Sequence, residues 1–136
     1  MIPAIALAGR PTVGRGLDDT LVLPTHPLAV VGYLRSLHWS EQQWQTWERR
    51  LRGAAFELGL NLTEIIASRD VSSLTDGCPR INQILDIIRL GQAHGVLTLA
   101  DYSFAWDREI VRRTVARIRQ AGGFVEYVYG RAPLLL

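Results

Sequence analysis

Four short apolar runs separated by stretches of helical period set the layout of this chain. Leu28 to Arg35, Leu62 to Ala67, Gly95 to Ala100 and Phe124 to Tyr129 are dense in branched and aromatic residues and bounded by polar or turn residues, as expected of strands covered on both faces. Between the first two runs, Trp44, Trp47, Leu51, Ala54, Ala55 and Leu58 recur three or four apart, which predicts a helix capped by Ser40 and closed by Gly59. Ile81, Ile84, Leu85 and Ile88 predict a second helix that follows Pro79 and stops at Gly91. A third, over about 107 to 120, has Asp107 as cap and Gly122-Gly123 as terminator. Strand and helix alternate throughout, so the expected architecture is a three-layer α/β/α sandwich around a mostly parallel sheet.

A length of 136 residues with 48% hydrophobic and 21% charged positions suits one core of ordinary size. We place that domain at 28–130. Residues 1–27, rich in Gly, Pro and Thr and ending in Pro24-Thr25-His26-Pro27, form an arm, in which Leu21-Val22-Leu23 either adds an edge strand or stays unpaired. Residues 131–136 are a short tail whose three leucines pack back on the body or face a partner. The apolar opening Met1 to Ala8 lacks a basic lead-in and a cleavage site, and no run is long enough to span a membrane, which makes a soluble cytoplasmic protein the expectation.

Candidate chemistry is sparse. The lone Cys78 excludes an internal disulfide and suits a reducing compartment. His26, His38 and His94 do not fall at metal-ligand spacing, so neither a metal nor a cofactor is expected. Gly9 to Gly16 has the outline of a phosphate loop but lacks its lysine, and Pro11 removes a backbone donor. All 15 basic residues are arginine, and a net charge of +2 neither demands nor excludes a nucleic-acid partner. The clusters Arg49-Arg50-Arg52 and Arg112-Arg113 with Arg117 and Arg119 are either phosphate-contacting stripes or solvated helix faces. Trp44 and Trp47 fit a core stripe, whereas Trp39 falls off it and is expected at the surface.

The order of elements and the residues at the strand ends point to one family. Tyr33-Leu34-Arg35 closes the first strand, Gln42-Gln43 and Glu48 lie in the first helix, Ser72-Ser73 precede Arg80 and the apolar Ile81, Ile84 and Leu85, and Ala100-Asp101 closes the third strand. Over 28–130 this arrangement resembles the catalytic domain of the resolvase/invertase serine recombinases, which break DNA through a phosphoserine link. Such chemistry needs a hydroxyl nucleophile and several guanidinium groups that grip the developing phosphorane.

The resemblance implies Arg35, Arg80 and Asp101 as site residues, with Ser36 or Ser40 as the hydroxyl, and Arg35, Arg69, Arg80 and Arg108 as phosphate ligands. The nucleophile position falls on Leu37 when counted from Arg35 and on Trp39 when counted back from Gln42-Gln43, while Tyr102 and Ala105 stand where the family has two further arginines. The expectation is therefore a degenerate member, catalytically inactive, serving as an interaction or regulatory module associated with DNA. The family's dimerisation helix and DNA-reading domain have no counterpart in these residues, so a protein partner or a second copy is expected to assist. A minimal DNA-nicking enzyme using Ser36 or Ser40, and a small-molecule-binding module at the strand ends, stand as alternatives.

Overall fold

The computed structural model describes residues 27–69, 78–105 and 107–129. Residues 1–26 of the arm, including Leu21-Val22-Leu23, the tail 131–136, and the loop serines Ser72 and Ser73 lie outside the described residues. The elements are β1 (Ala29–Arg35), α1 (Glu41–Leu58), β2 (Asn61–Ser68), α2 (Pro79–Arg89), β3 (Gly95–Thr98), a 3-10 turn (Asp101–Ser103), α3 (Arg108–Gln120) and β4 (Phe124–Tyr127). The four strands form one sheet in the order β2-β1-β3-β4, and all three pairings are parallel.

Each crossover helix packs according to the side of β1 that its neighbours expose. Val30, Leu34, Leu97 and Leu99 meet Trp44, Leu51 and Ala55 of α1 in one core. Val31, Tyr33, Ile66 and Val96 meet Ile81, Ile84, Leu85 and Ile88 of α2 and Ile118 of α3 in the other. Alternate residues of one buried strand thus feed two separate cores, which is why β1 reads as an unbroken apolar run. The result is the expected three-layer α/β/α sandwich.

Helix α1 begins and ends as its sequence dictates. The Ser40 hydroxyl accepts from the Gln43 amide at 3.1 Å, and the Gln43 side chain accepts from the Ser40 amide at 2.8 Å, a reciprocal capping box. Gly59 closes the helix at φ 72°, a conformation costly for any residue with a Cβ. Midway along β1, Gly32 lets the helix approach the sheet: a Cβ there would lie 2.7 Å from Leu51 Cδ2 and 3.1 Å from both Ile65 and Leu62.

Strand ends differ from expectation in β2, β3 and β4, the last of which closes at Tyr127 rather than Tyr129. Strand β3 stops at Thr98, where its pairing with β1 ends opposite Tyr33, and only the far side continues, through Tyr129 N–H to Leu99 O at 2.9 Å. With half its ladder gone, the chain folds at Asp101 into the 3-10 turn. Strand β2 extends through Ser68, because the Ser36 amide donates to Ser68 O at 3.1 Å.

Two glycines give opposite expected outcomes. Gly32→Ala should destabilise the domain by about 1–3 kcal/mol in urea unfolding, since the added methyl overpacks a sealed core. Gly53→Ala, in the middle of α1 with open space around its Cα, should stabilise it by about 0.5–1 kcal/mol.

Candidate functional site at the strand carboxyl ends

In a parallel sheet the functional edge lies beyond the strand carboxyl ends, at the point where successive crossovers depart to opposite faces. Here α1 leaves β1 on one face, α2 and α3 cover the other, and the switch point falls between β1 and β3. Arg35 and Ser36 end β1, and Asp101 to Ser103 follow β3. Arg35, Ser36 and Asp101 among them are residues that the sequence nominates.

Arg35 spans the crevice between them. Its Nε donates to Ser103 O at 2.9 Å and its Nη2 to Tyr102 O at 2.8 Å. Partial burial lowers its pKa from the usual guanidinium value, with Tyr33 and Cys78 opposing that shift. A guanidinium removed from water needs acceptors, and the two carbonyls supply them. Asp101, beside this link, has one carboxylate oxygen, Oδ1, that is buried and accepts from no described residue.

The loop 36–40, where a nucleophile would sit, is held at almost every residue. The Ser36 hydroxyl accepts from the amides of His38 at 3.1 Å and Trp39 at 3.2 Å. The bond between Ser36 and His38 is therefore made by backbone, not imidazole. Ser40 caps α1. Trp39, expected at the surface, is instead half-buried: it packs edge-on to Trp44 at 4.8 Å and stacks on Trp47 at 5.6 Å. The indole leaves the helix stripe but folds back over it, a contact that helical spacing could not reveal because Trp39 precedes the helix.

The remaining candidates divide. Arg69 lies over the Trp44 ring at 4.3 Å and pairs with Glu41 at 3.1 Å, so its charge is directed at the start of α1. Arg80 is exposed in the first turn of α2, and Arg108 is exposed in the first turn of α3. Arg35 is tied to the turn that follows Asp101, whereas Ser36 is bound within its own loop, Ser40 and Arg69 contact the start of α1, and Arg80 and Arg108 lie in the first turns of α2 and α3.

Sequence reasoning missed two features. Tyr33 OH donates to Ser68 Oγ at 2.8 Å, and Ser68 Oγ lies 3.8 Å from Cys78 Sγ, a buried polar chain under the site. Ser68 is a polar residue just past the apolar run Leu62 to Ala67, and only strand pairing turns it inward. Burial drives the Tyr33 pKa well above the ordinary tyrosine value, partly offset by the bond to Ser68. The second is an aromatic ladder in which Trp47 meets Tyr129 at 6.5 Å, while Arg50 lies over Trp47 and donates to Tyr129 OH. The dense tryptophans were a signal, but Tyr129 is 79 residues from Arg50 and no spacing rule connects them.

Among the described residues no group of His, Cys, Asp or Glu is placed to hold a metal ion, and no helix is long and apolar enough to cross a membrane. No protein-family model matches the sequence, and no curated protein is significantly similar to it. Solved structures are similar. The C-terminal catalytic domain of ISC1926 TnpA, an IS607-like serine recombinase, superposes with a TM-score of 0.62 at 18% identity, covering 78% of this chain and 71% of that one. The first ORF in transposon ISC1904 from Sulfolobus solfataricus P2 superposes with a TM-score of 0.58 at 12% identity, over 73% of this chain and 66% of that one.

The fold is that of a serine recombinase catalytic domain. The expected resemblance to such a domain is thereby met at the level of the fold.

Two substitutions probe the edge. Arg35→Met keeps the apolar stem and removes both charge-assisted bonds, and should cost about 2–3 kcal/mol in denaturant unfolding. For Tyr33 the folded pKa lies above the unfolded value of about 10. The unfolded state therefore loses its proton first, so this residue's contribution is intact below about pH 10 and declines as pH rises further. Tyr33→Phe should remove part of the alkaline loss of stability seen by thermal unfolding above pH 10.

Proposed function

We propose that this domain is a non-cleaving relative of the serine recombinases that acts as an interaction or regulatory module on DNA, together with a protein partner or a second copy. The observation that supports it is the commitment of the loop 36–40. A nucleophilic serine must be free to approach phosphorus and surrender its proton while guanidinium groups receive the developing charge. Ser36 Oγ already accepts two backbone amides, and Ser40 Oγ fastens a helix end. Arg35 spends two of its nitrogens on carbonyls, and Arg69 lies against Trp44 and Glu41.

Those groups act as a unit in catalysis, so losing several together removes far more than any single loss. Leu37 and Trp39 offer no hydroxyl, and Tyr102 and Ala105 no cation. What the edge retains is a fixed shape, with Arg80 and Arg108 exposed beside it. That combination favours binding over turnover.

Incubation with supercoiled plasmid followed by denaturing electrophoresis tests this. The expected result is DNA retained at low salt without any covalent protein–DNA adduct. An adduct that disappears in Ser36→Ala or Ser40→Ala would establish the nicking enzyme instead.

The unpartnered Asp101 Oδ1 at the switch point favours a second reading, a small ligand that brings a hydrogen-bond donor to that oxygen. A small molecule released on denaturing the freshly purified domain, and absent from Asp101→Ala, would support that reading over the first.

A further inference from the structure

We propose that the outer stripe of α3, formed by Arg108, Arg112 and Arg119, is the surface through which this domain meets the phosphate backbone of duplex DNA. This rests on the DNA-associated reading above and extends its contact surface from Arg108, beside the strand-end edge, along the length of α3.

The charge distribution singles out α3. Its 13 residues hold five arginines and one glutamate. Those account for five of the 15 basic and one of the 13 acidic residues of the chain, leaving ten against twelve elsewhere. Helix α1, the other arginine-rich element, balances Arg49, Arg50 and Arg52 with Glu41, Glu48 and Glu57, and its Arg50 is held over Trp47. The positive excess of the molecule is thus a property of one helix.

Packing then sorts the five arginines. Thr114 and Ile118 face the core, flanked by the partly buried Val111 and Val115. Arg117 turns toward α2, where it donates to Asn82 Oδ1 at 2.7 Å, and Arg113 lies 3.7 Å from Glu109. At roughly 100° per residue, Arg108, Arg112 and Arg119 fall within about 40° of one another on the side away from α2, along about 16 Å of helix axis. All three are exposed.

Arg112 also pairs with Glu109, holding the Glu109 carboxyl below its usual pKa through that hydrogen bond, but both side chains are solvent-exposed. Exposed pairs of this kind exchange readily for a phosphate. Guanidinium groups spaced along one helix face suit a polyanion read for charge, because each phosphate contact releases condensed counterions whatever the base sequence.

The test is fluorescence anisotropy of a labelled mixed-sequence duplex of about 20 base pairs, titrated at several NaCl concentrations. The wild-type domain should bind at low salt, and replacing all three stripe arginines (R108Q, R112Q and R119Q together) should flatten the plot of log affinity against log salt by about 2–3. The double variant R49Q with R52Q, equally exposed on α1, should leave that slope unchanged. Circular dichroism and the thermal midpoint confirm that each variant is folded. Wild-type binding with an unaltered slope in the triple variant overturns the assignment to α3 while leaving the DNA reading standing, as does an equal loss of slope in the α1 control. Absence of wild-type binding at the lowest salt overturns the DNA reading itself, and this surface with it.

Discussion

A parallel strand buried on both faces has to end, and the residue that ends it inherits a position partly removed from water. In β1 that residue is Arg35. Its guanidinium requires acceptors, and the nearest are the carbonyls of Tyr102 and Ser103, freed where β3 stops pairing with β1. The link ties the last residue of the central strand to the turn after its neighbour. Through it the position of Asp101, and the entry to α3, follow from where one strand ends.

The same constraint shapes the other side of the edge. With Arg35 turned toward the Asp101 turn, Ser36 gives its amide to Ser68 and folds the amides of His38 and Trp39 onto its hydroxyl. Trp39 is then carried over Trp44 and Trp47, and Ser40 is left in the extended conformation that caps α1. A loop that could have carried a mobile nucleophile becomes a sequence of local hydrogen bonds and ring contacts. Its conformation is a consequence of satisfying buried and half-buried groups.

Much of this was legible residue by residue. Helix α1 is marked at both ends in the sequence, through Ser40 and Gly59, because capping chemistry is local. Helix α3 announced its start through Asp107, whose carboxylate accepts from the Glu109 amide at 2.8 Å. Strand β3 was read two residues too long, since Leu99 and Ala100 are as buried as any strand residue while the pairing that defines a strand has already ended on one side. Trp39 was placed at the surface because helical periodicity does not govern a residue that precedes the helix. The burial of Ser68 is not legible along the chain, because its inward direction depends on a partner strand whose Tyr33 lies 35 residues away in sequence.

The order of apolar runs and helical periods by itself determined the three-layer sandwich and the ends of its helices, because periodicity and capping are properties of neighbours along the chain. Tertiary structure alone decided what those edge residues are occupied with: that Arg35 faces carbonyls, that Ser36 and Ser40 serve the backbone, and that three of the five arginines of α3 form one exposed stripe. Each of those outcomes depends on which strand lies beside which, and on desolvation that only packing imposes.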